Sequence, residues 1–260
     1  MDNKAILIVS FGTSYEETRK KTIDVLENRV AEEFKDYRVY GAWTSKMIIN
    51  KIRKRDNIII PTVKEALEQM IKDGVTDVIL QPTHIINGLE NDNMRKDAHV
   101  LRKNFNTMKF GTPLLTTEDD NLAVVNAIAE EFKYLSPESA LVLMGHGTEH
   151  YANSIYAALD YRFKAENHKN IFMGTVEGYP DIDTVIKYVN SSEPEKIVLA
   201  PFMFVAGDHA TNDMSGDDPD SWLNVFTKEG YKTEAVIKGL GEYRSIQEIY
   251  INHIREVMEI

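Results

Sequence analysis

Short apolar runs recur along the chain, each followed by a longer stretch where apolar residues return every three or four positions. The runs predict strands at Ala5–Ser10, Arg38–Ala42, Asp77–Gln81, Ala140–Met144, Asn170–Thr175, Lys196–Pro201 and Lys232–Ile237. The longer stretches predict helices at Thr13–Glu33, Thr62–Lys72, Asn121–Phe132, Ser154–Lys164, Asp181–Asn190 and Ser221–Lys228. Strands that are apolar throughout, alternating with helical patterns, belong to parallel sheets covered on both faces. Parallel strands joined by helices build doubly wound α/β units, and that is the expected fold class.

The pattern also repeats itself. AILIVSFGT (Ala5–Thr13) matches ALVLMGHGT (Ala140–Thr148), with Phe11 opposite His146. VYGAWTS (Val39–Ser45) matches FMGTVEG (Phe172–Gly178), with Thr44 opposite Glu177. VILQPTHIINGLE (Val78–Glu90) matches IVLAPFMFVAGDH (Ile197–His209), with Glu90 opposite His209. The order is kept in all three places, so two similar lobes are expected, 1–115 and 116–260, with a boundary near Thr112–Asp120. The stretch from Gly41 to Gly88 is longer than its counterpart from Gly174 to Gly207. The surplus holds a basic strip, KMIINKIRKR, with Lys46, Lys51, Arg53, Lys54 and Arg55. A solvated basic face and a docking strip for carboxylates are both open readings of it.

Composition narrows the functional classes. The chain has 260 residues, 43% hydrophobic and 27% charged, enough for one large domain or two lobes. Its net charge of −11 argues against nucleic acid as a partner, because phosphate binding needs a basic face. There is no cysteine, which excludes disulfides, thiolate metal sites and cysteine nucleophiles. The opening MDNKAILIVSFG lacks the pattern of a signal peptide, and no apolar run approaches the roughly 18 residues of a membrane helix. A soluble, cytoplasmic protein without a membrane partner is expected. A homo-oligomer is compatible with the sequence, since buried and exposed apolar faces read alike in it.

The candidate chemistry lies just past the strands of the second lobe. In open parallel sheets, ligands bind beyond the carboxyl ends of the strands. His146, Glu177 and His209 each follow one such strand and stand beside a glycine: Gly145, Gly178 and Gly207. Glycine lets the backbone turn and come close to a ligand. Two imidazoles and a carboxylate suit a divalent first-row metal such as cobalt, nickel, iron or zinc, and leave coordination positions open. The competing reading, histidines with purely structural roles, stays open at this level. Among the other histidines, His84 lies in the loop PTHIINGLEND, where it would line the same cleft. His150 reads as a neighbour of the site or a surface residue, and His99, His168 and His253 read as surface positions. Neither a G-x-S-x-G elbow, a Walker loop nor a G-x-G-x-x-G stretch is present; GLGEYR lacks the third glycine.

Taken together, LIVSFGTSYEETR, LMGHGTEH, GTVEGYPD and PFMFVAGDHATNDM resemble the anaerobic sirohydrochlorin cobaltochelatase family, class II tetrapyrrole chelatases related in fold to ferrochelatase. The resemblance covers essentially the whole chain. It implies two α/β lobes with the active-site cleft between them, and metal ligands at His146, Glu177 and His209. Those three residues would also be catalytic. Glu90 corresponds to a cleft residue that handles metal or macrocycle. The implied reaction is Co²⁺ plus sirohydrochlorin giving cobalt-sirohydrochlorin and two protons, with the metal as substrate and no organic cofactor. Ni²⁺, Fe²⁺ and Zn²⁺ are alternative metals. A chelatase for iron or nickel and a non-catalytic tetrapyrrole or metal carrier are the rival functions. Eight carboxylates on sirohydrochlorin would give the basic strip a purpose. Ser10, Thr13 and Ser14, ahead of a helix start that favours anions, would bind others, and Phe11 would pack on the ring.

Overall fold

A computed structural model describes residues 3–259. The chain divides into two compact units, one running to Thr116 and resuming at Arg244, the other spanning Thr117–Tyr243. The sequence reading placed everything after residue 115 in the second lobe, and the segment from Arg244 corrects it.

In the first unit the elements are β1 (Lys4–Ser10), α1 (Glu16–Lys21), α2 (Ile23–Glu33), β2 (Arg38–Trp43), α3 (Lys46–Asp56), α4 (Val63–Lys72), β3 (Asp77–Pro82), α5 (Leu89–His99) and β4 (Thr107–Phe110). The second unit holds α6 (Glu118–Glu131), β5 (Ser139–Gly145), α7 (Ser154–Ala165), β6 (Ile171–Thr175), α8 (Ile182–Ser192), β7 (Lys196–Pro201), α9 (Trp222–Lys228) and β8 (Lys232–Ala235). The helix α10 (Arg244–Glu259) then returns to the first unit.

Each unit carries one all-parallel sheet, ordered β2-β1-β3-β4 in the first and β6-β5-β7-β8 in the second. The two orders coincide when β1 is laid on β5. Connecting hydrogen bonds coincide as well: Thr83 N donates to Val9 O at 2.8 Å, and Phe202 N to Met144 O at 2.7 Å. Strand direction reverses its progress between β1 and β3, and again between β5 and β7. In such sheets that switch point is where loops part and ligands enter.

The pairing also corrects one sequence match. Ser10 stands opposite Trp43, and Gly145 opposite Thr175, so Glu177 takes the place of Ser45 and not of Thr44. Ser45 N donates to Phe11 O, as Glu177 N does to His146 O, at 3.2 and 2.7 Å. The shared glycines at 41 and 174 had pulled the alignment off by one residue.

Buried β1 and β5 account for the cores. Ala5, Leu7 and Val9 pack with Leu67, Met70 and Leu80 on one face of the first sheet. Ala140, Val142 and Met144 pack with Val185, Leu199 and Phe226 in the second. The helix expected over Thr13–Glu33 is broken at Thr22, whose hydroxyl donates to Thr18 O at 2.6 Å. Such back-bonding competes with the helical ladder.

The helix α10 buries Ile246, Tyr250 and Ile254, each contributing about 1.5–3 kcal/mol of apolar burial. It is also fastened by polar contacts within the first unit. Tyr250 Oη donates to the Thr83 and His84 carbonyls, and Arg29 of α2 holds Glu248 at 2.7 Å. His253, expected at the surface, is buried with Nδ1 3.0 Å from Thr112 O.

Candidate metal site

His146 follows β5 directly. Its carbonyl accepts from Glu177 N at 2.7 Å, and Gly145 O accepts from Val176 N at 3.0 Å, so the loops after β5 and β6 are stitched together. Gly147 lies against this seam with φ +84°. A Cβ there would stand 2.6 Å from Gly178 N and 2.9 Å from Glu177 C. Only glycine fits both the left-handed conformation and the approach. Asn153 closes the far side, accepting from Thr148 N at 2.9 Å and donating to Tyr179 O at 2.7 Å. Behind the loop, burial raises the Tyr156 phenol above its ordinary pKa, while a backbone hydrogen bond at Gly147 opposes that shift.

His209 comes from the segment after β7, at the start of a helical stretch widened to π pitch over Ala210–Met214. Such widened turns are frequent at functional sites. His209 Nδ1 lies 2.8 Å from Asp213 Oδ2, and His146 Nδ1 lies 2.8 Å from Gly147 O. A carbonyl and a carboxylate only accept, so both Nδ1 atoms carry the proton in these contacts. Each imidazole is then left with its Nε2 lone pair for a ligand.

The rings of His146 and His209 stand perpendicular with centroids 4.6 Å apart, and Glu177 Oε2 is 3.7 Å from His146 Nδ1. One ligand atom from each of His146, Glu177 and His209 falls within 4.8 Å of the others. That spacing suits a single divalent ion of first-row size with ligand distances near 2 Å. All three side chains reach solvent, at 43, 56 and 30% exposure. The three residues come from the ends of β5, β6 and β7 of one unit.

The first-unit residues sit in the matching places. Phe11, in the position of His146, is 40% exposed. Ser10 is buried and accepts from Thr83 Oγ1 at 3.0 Å, and Thr13 Oγ1 accepts from Tyr15 N at 3.2 Å. These two hydroxyls hold the loop. Thr13 and Ser14 line a small depression with Glu16, Arg19, Arg55 and Asp56. The helix start behind them carries Glu16 and Glu17, so its N-terminal dipole is already met by carboxylates. Glu90 lies in the first turn of α5, half-buried. His84 is buried, and neither ring nitrogen has a hydrogen-bond partner among the described residues. Burial lowers its pKa to about 4. His150 caps the turn at Tyr151 by accepting from Ala152 N at 3.2 Å.

Asp213 escaped the sequence reading, although a histidine and an aspartate four residues apart at a helix start is a legible signal. The basic strip is helix α3, capped by Ser45, whose hydroxyl accepts from Ile48 N at 3.4 Å. Ile49 and Ile52 are its buried side; Lys46, Lys51, Arg53 and Lys54 face outward.

The family model for cobalt chelatase (CbiK) matches residues 4–259. A sirohydrochlorin cobaltochelatase of Salmonella typhimurium is 37% identical over 99% of this chain and 97% of its own. Sirohydrochlorin cobaltochelatase CbiKC of Nitratidesulfovibrio vulgaris is 29% identical, over 98% and 90%. Among solved structures, the sirohydrochlorin chelatase SirB of Bacillus subtilis with cobalt aligns with a TM-score of 0.62 at 12% identity, covering 98% of this chain and 95% of that one. At that identity the likeness is one of fold.

Proposed function

The chain belongs to the cobalt chelatase (CbiK) family, and we propose that it inserts Co²⁺ into sirohydrochlorin in anaerobic cobalamin biosynthesis. The carrying observation is the grouping of His146, Glu177 and His209 at three adjoining strand ends, with ligand atoms within 4.8 Å.

A metal that is substrate must be held, partly stripped of water and given up. Two neutral imidazoles and one carboxylate do this, because they leave coordination positions for water and for ring nitrogens. Insertion exchanges two pyrrole N–H protons for one Co²⁺, so the site must also take protons. Glu177 is the most exposed of the three and is assigned the transfer to solvent. His146 and His209 present Nε2 to the ion.

Macrocycle contacts are proposed in the first unit. Phe11 offers an exposed ring, Ser14 a hydroxyl beside Arg19 and Arg55, Glu90 a carboxylate, and the outer face of α3 cations for the substrate's acid groups. Ser10 and Thr13 act by holding the loop that carries Phe11.

The test is anaerobic incubation of the protein with sirohydrochlorin and Co²⁺, Fe²⁺ or Ni²⁺, followed by absorbance. Cobalt should insert fastest. His146→Ala should abolish insertion with its circular dichroism unchanged, since the side chain is at a loop and half-exposed. Insertion no faster than the protein-free control would sink the enzymatic reading and leave a carrier. Faster insertion of iron or nickel would reassign the metal.

A further inference from the structure

The two site histidines are oriented by acceptors of different kinds. For His146 the acceptor is the Gly147 carbonyl, part of its own loop. His209 relies on a side chain, the Asp213 carboxylate 2.8 Å away and four residues further on. The ring of His209 can turn about its own bonds, and either nitrogen of a free imidazole can carry the proton. Nothing in the backbone around His209 plays the part that Gly147 O plays for His146 among the contacts of the described residues.

We propose that Asp213 is the positioning residue of the metal step: by accepting from Nδ1 it fixes the His209 tautomer and turns Nε2 toward the ion. This rests on the reading of His209 as a metal ligand. A carboxylate suits the task because it only accepts, so the proton cannot move to the metal-facing nitrogen without breaking the contact. The two rings stand perpendicular with centroids 4.6 Å apart, an arrangement that a rotated His209 would lose. Asp213 lies in the π-pitch turn, which ties the width of that turn to the aim of the ligand.

Titration of the metal-free protein with Co²⁺, followed by its visible d–d absorption without sirohydrochlorin, reads the proposal directly. Asp213→Asn can place an amide N–H against Nδ1 and invert the tautomer. It should weaken Co²⁺ binding about ten- to a hundredfold. The KM for Co²⁺ should rise by the same factor, with the KM for sirohydrochlorin within twofold of the parent. Asp213→Glu should recover part of the loss. Asp217→Asn, which removes the same charge from the same exposed segment, should bind as the parent does. His209→Ala is the arm that tests the underlying reading. If His209→Ala loses Co²⁺ while Asp213→Asn binds normally, the positioning role falls and the ligand assignment stands. If His209→Ala binds Co²⁺ normally, the ligand assignment itself falls. Equal losses in Asp217→Asn and Asp213→Asn would overturn the proposal in favour of a general charge effect.

Discussion

At Gly147 the φ of +84° and the 2.6 Å approach to Gly178 N both forbid a side chain. Gly147→Ala must therefore push the Glu177–Gly178 backbone away from His146. A displacement near 1 Å at a catalytic group costs on the order of a hundredfold in rate, and single-turnover insertion should show that drop. Buried titratable groups give a second residue-level expectation. His84 has its pKa lowered to about 4 by burial, below its unfolded value of 6.5. Between those values the unfolded chain binds the extra proton, so stability is full above pH 6.5 and is lost as pH falls toward 4. The loss is about 3 kcal/mol. Glu27 has the opposite sign: burial, and then Asp24, raise it to about 7 from 4.5. Its contribution is full below pH 4.5 and is lost as pH rises through 7. Urea melts across pH 4–8 should show a shallower fall on the acid side for His84→Phe and on the alkaline side for Glu27→Gln; unchanged profiles would refute both assignments. His146, Glu177 and His209 were readable because each follows an apolar run beside a glycine. The burial of His84 and the acceptor for His209 were not, since both are settled by tertiary geometry that no spacing encodes.

Among the elements, helix α3 carries the clearest expectation. Lys51 and Arg53 face outward, whereas Arg55 is already paired with Asp56 at 2.6 Å. Reversing the charge of Lys51 and Arg53 together should raise the KM for sirohydrochlorin several-fold and leave that for Co²⁺ unchanged. An unchanged sirohydrochlorin KM would return the strip to a solvated surface. The elements differ in how well the sequence announced them. Central strands were legible because β1 and β5 are buried along nearly their whole length. The helices α3 and α5 were not, since α3 buries only Ile49 and Ile52, and α5 buries Asn91, Met94 and Ala98. Strand β4, with the sequence TMKF, buries only Met108 and offers no apolar run. Thr22 splits the first helix through a hydroxyl bond that apolar spacing does not register.

For the molecule as a whole, the same strand order in each unit makes the duplication a matter of topology, and the proposed metal ligands lie in the second copy. The sequence showed the repeat but misplaced α10, because an amphipathic helix declares that it needs a partner and not which one. Tyr250 and Arg29 supply the answer by hydrogen bonds. Since α10 belongs to the first unit, the second unit is an uninterrupted segment set inside a discontinuous one. Expressed alone, residues 117–243 should fold cooperatively and bind Co²⁺, as a melt and a d–d titration would report; a molten, metal-blind fragment would contradict this. During synthesis the order follows from the same return of α10. Translation delivers the second unit, with the three proposed metal ligands, before the ribosome has made the helix that closes the first. A nascent chain would thus acquire a grip on the metal while its older half still awaits its last helix.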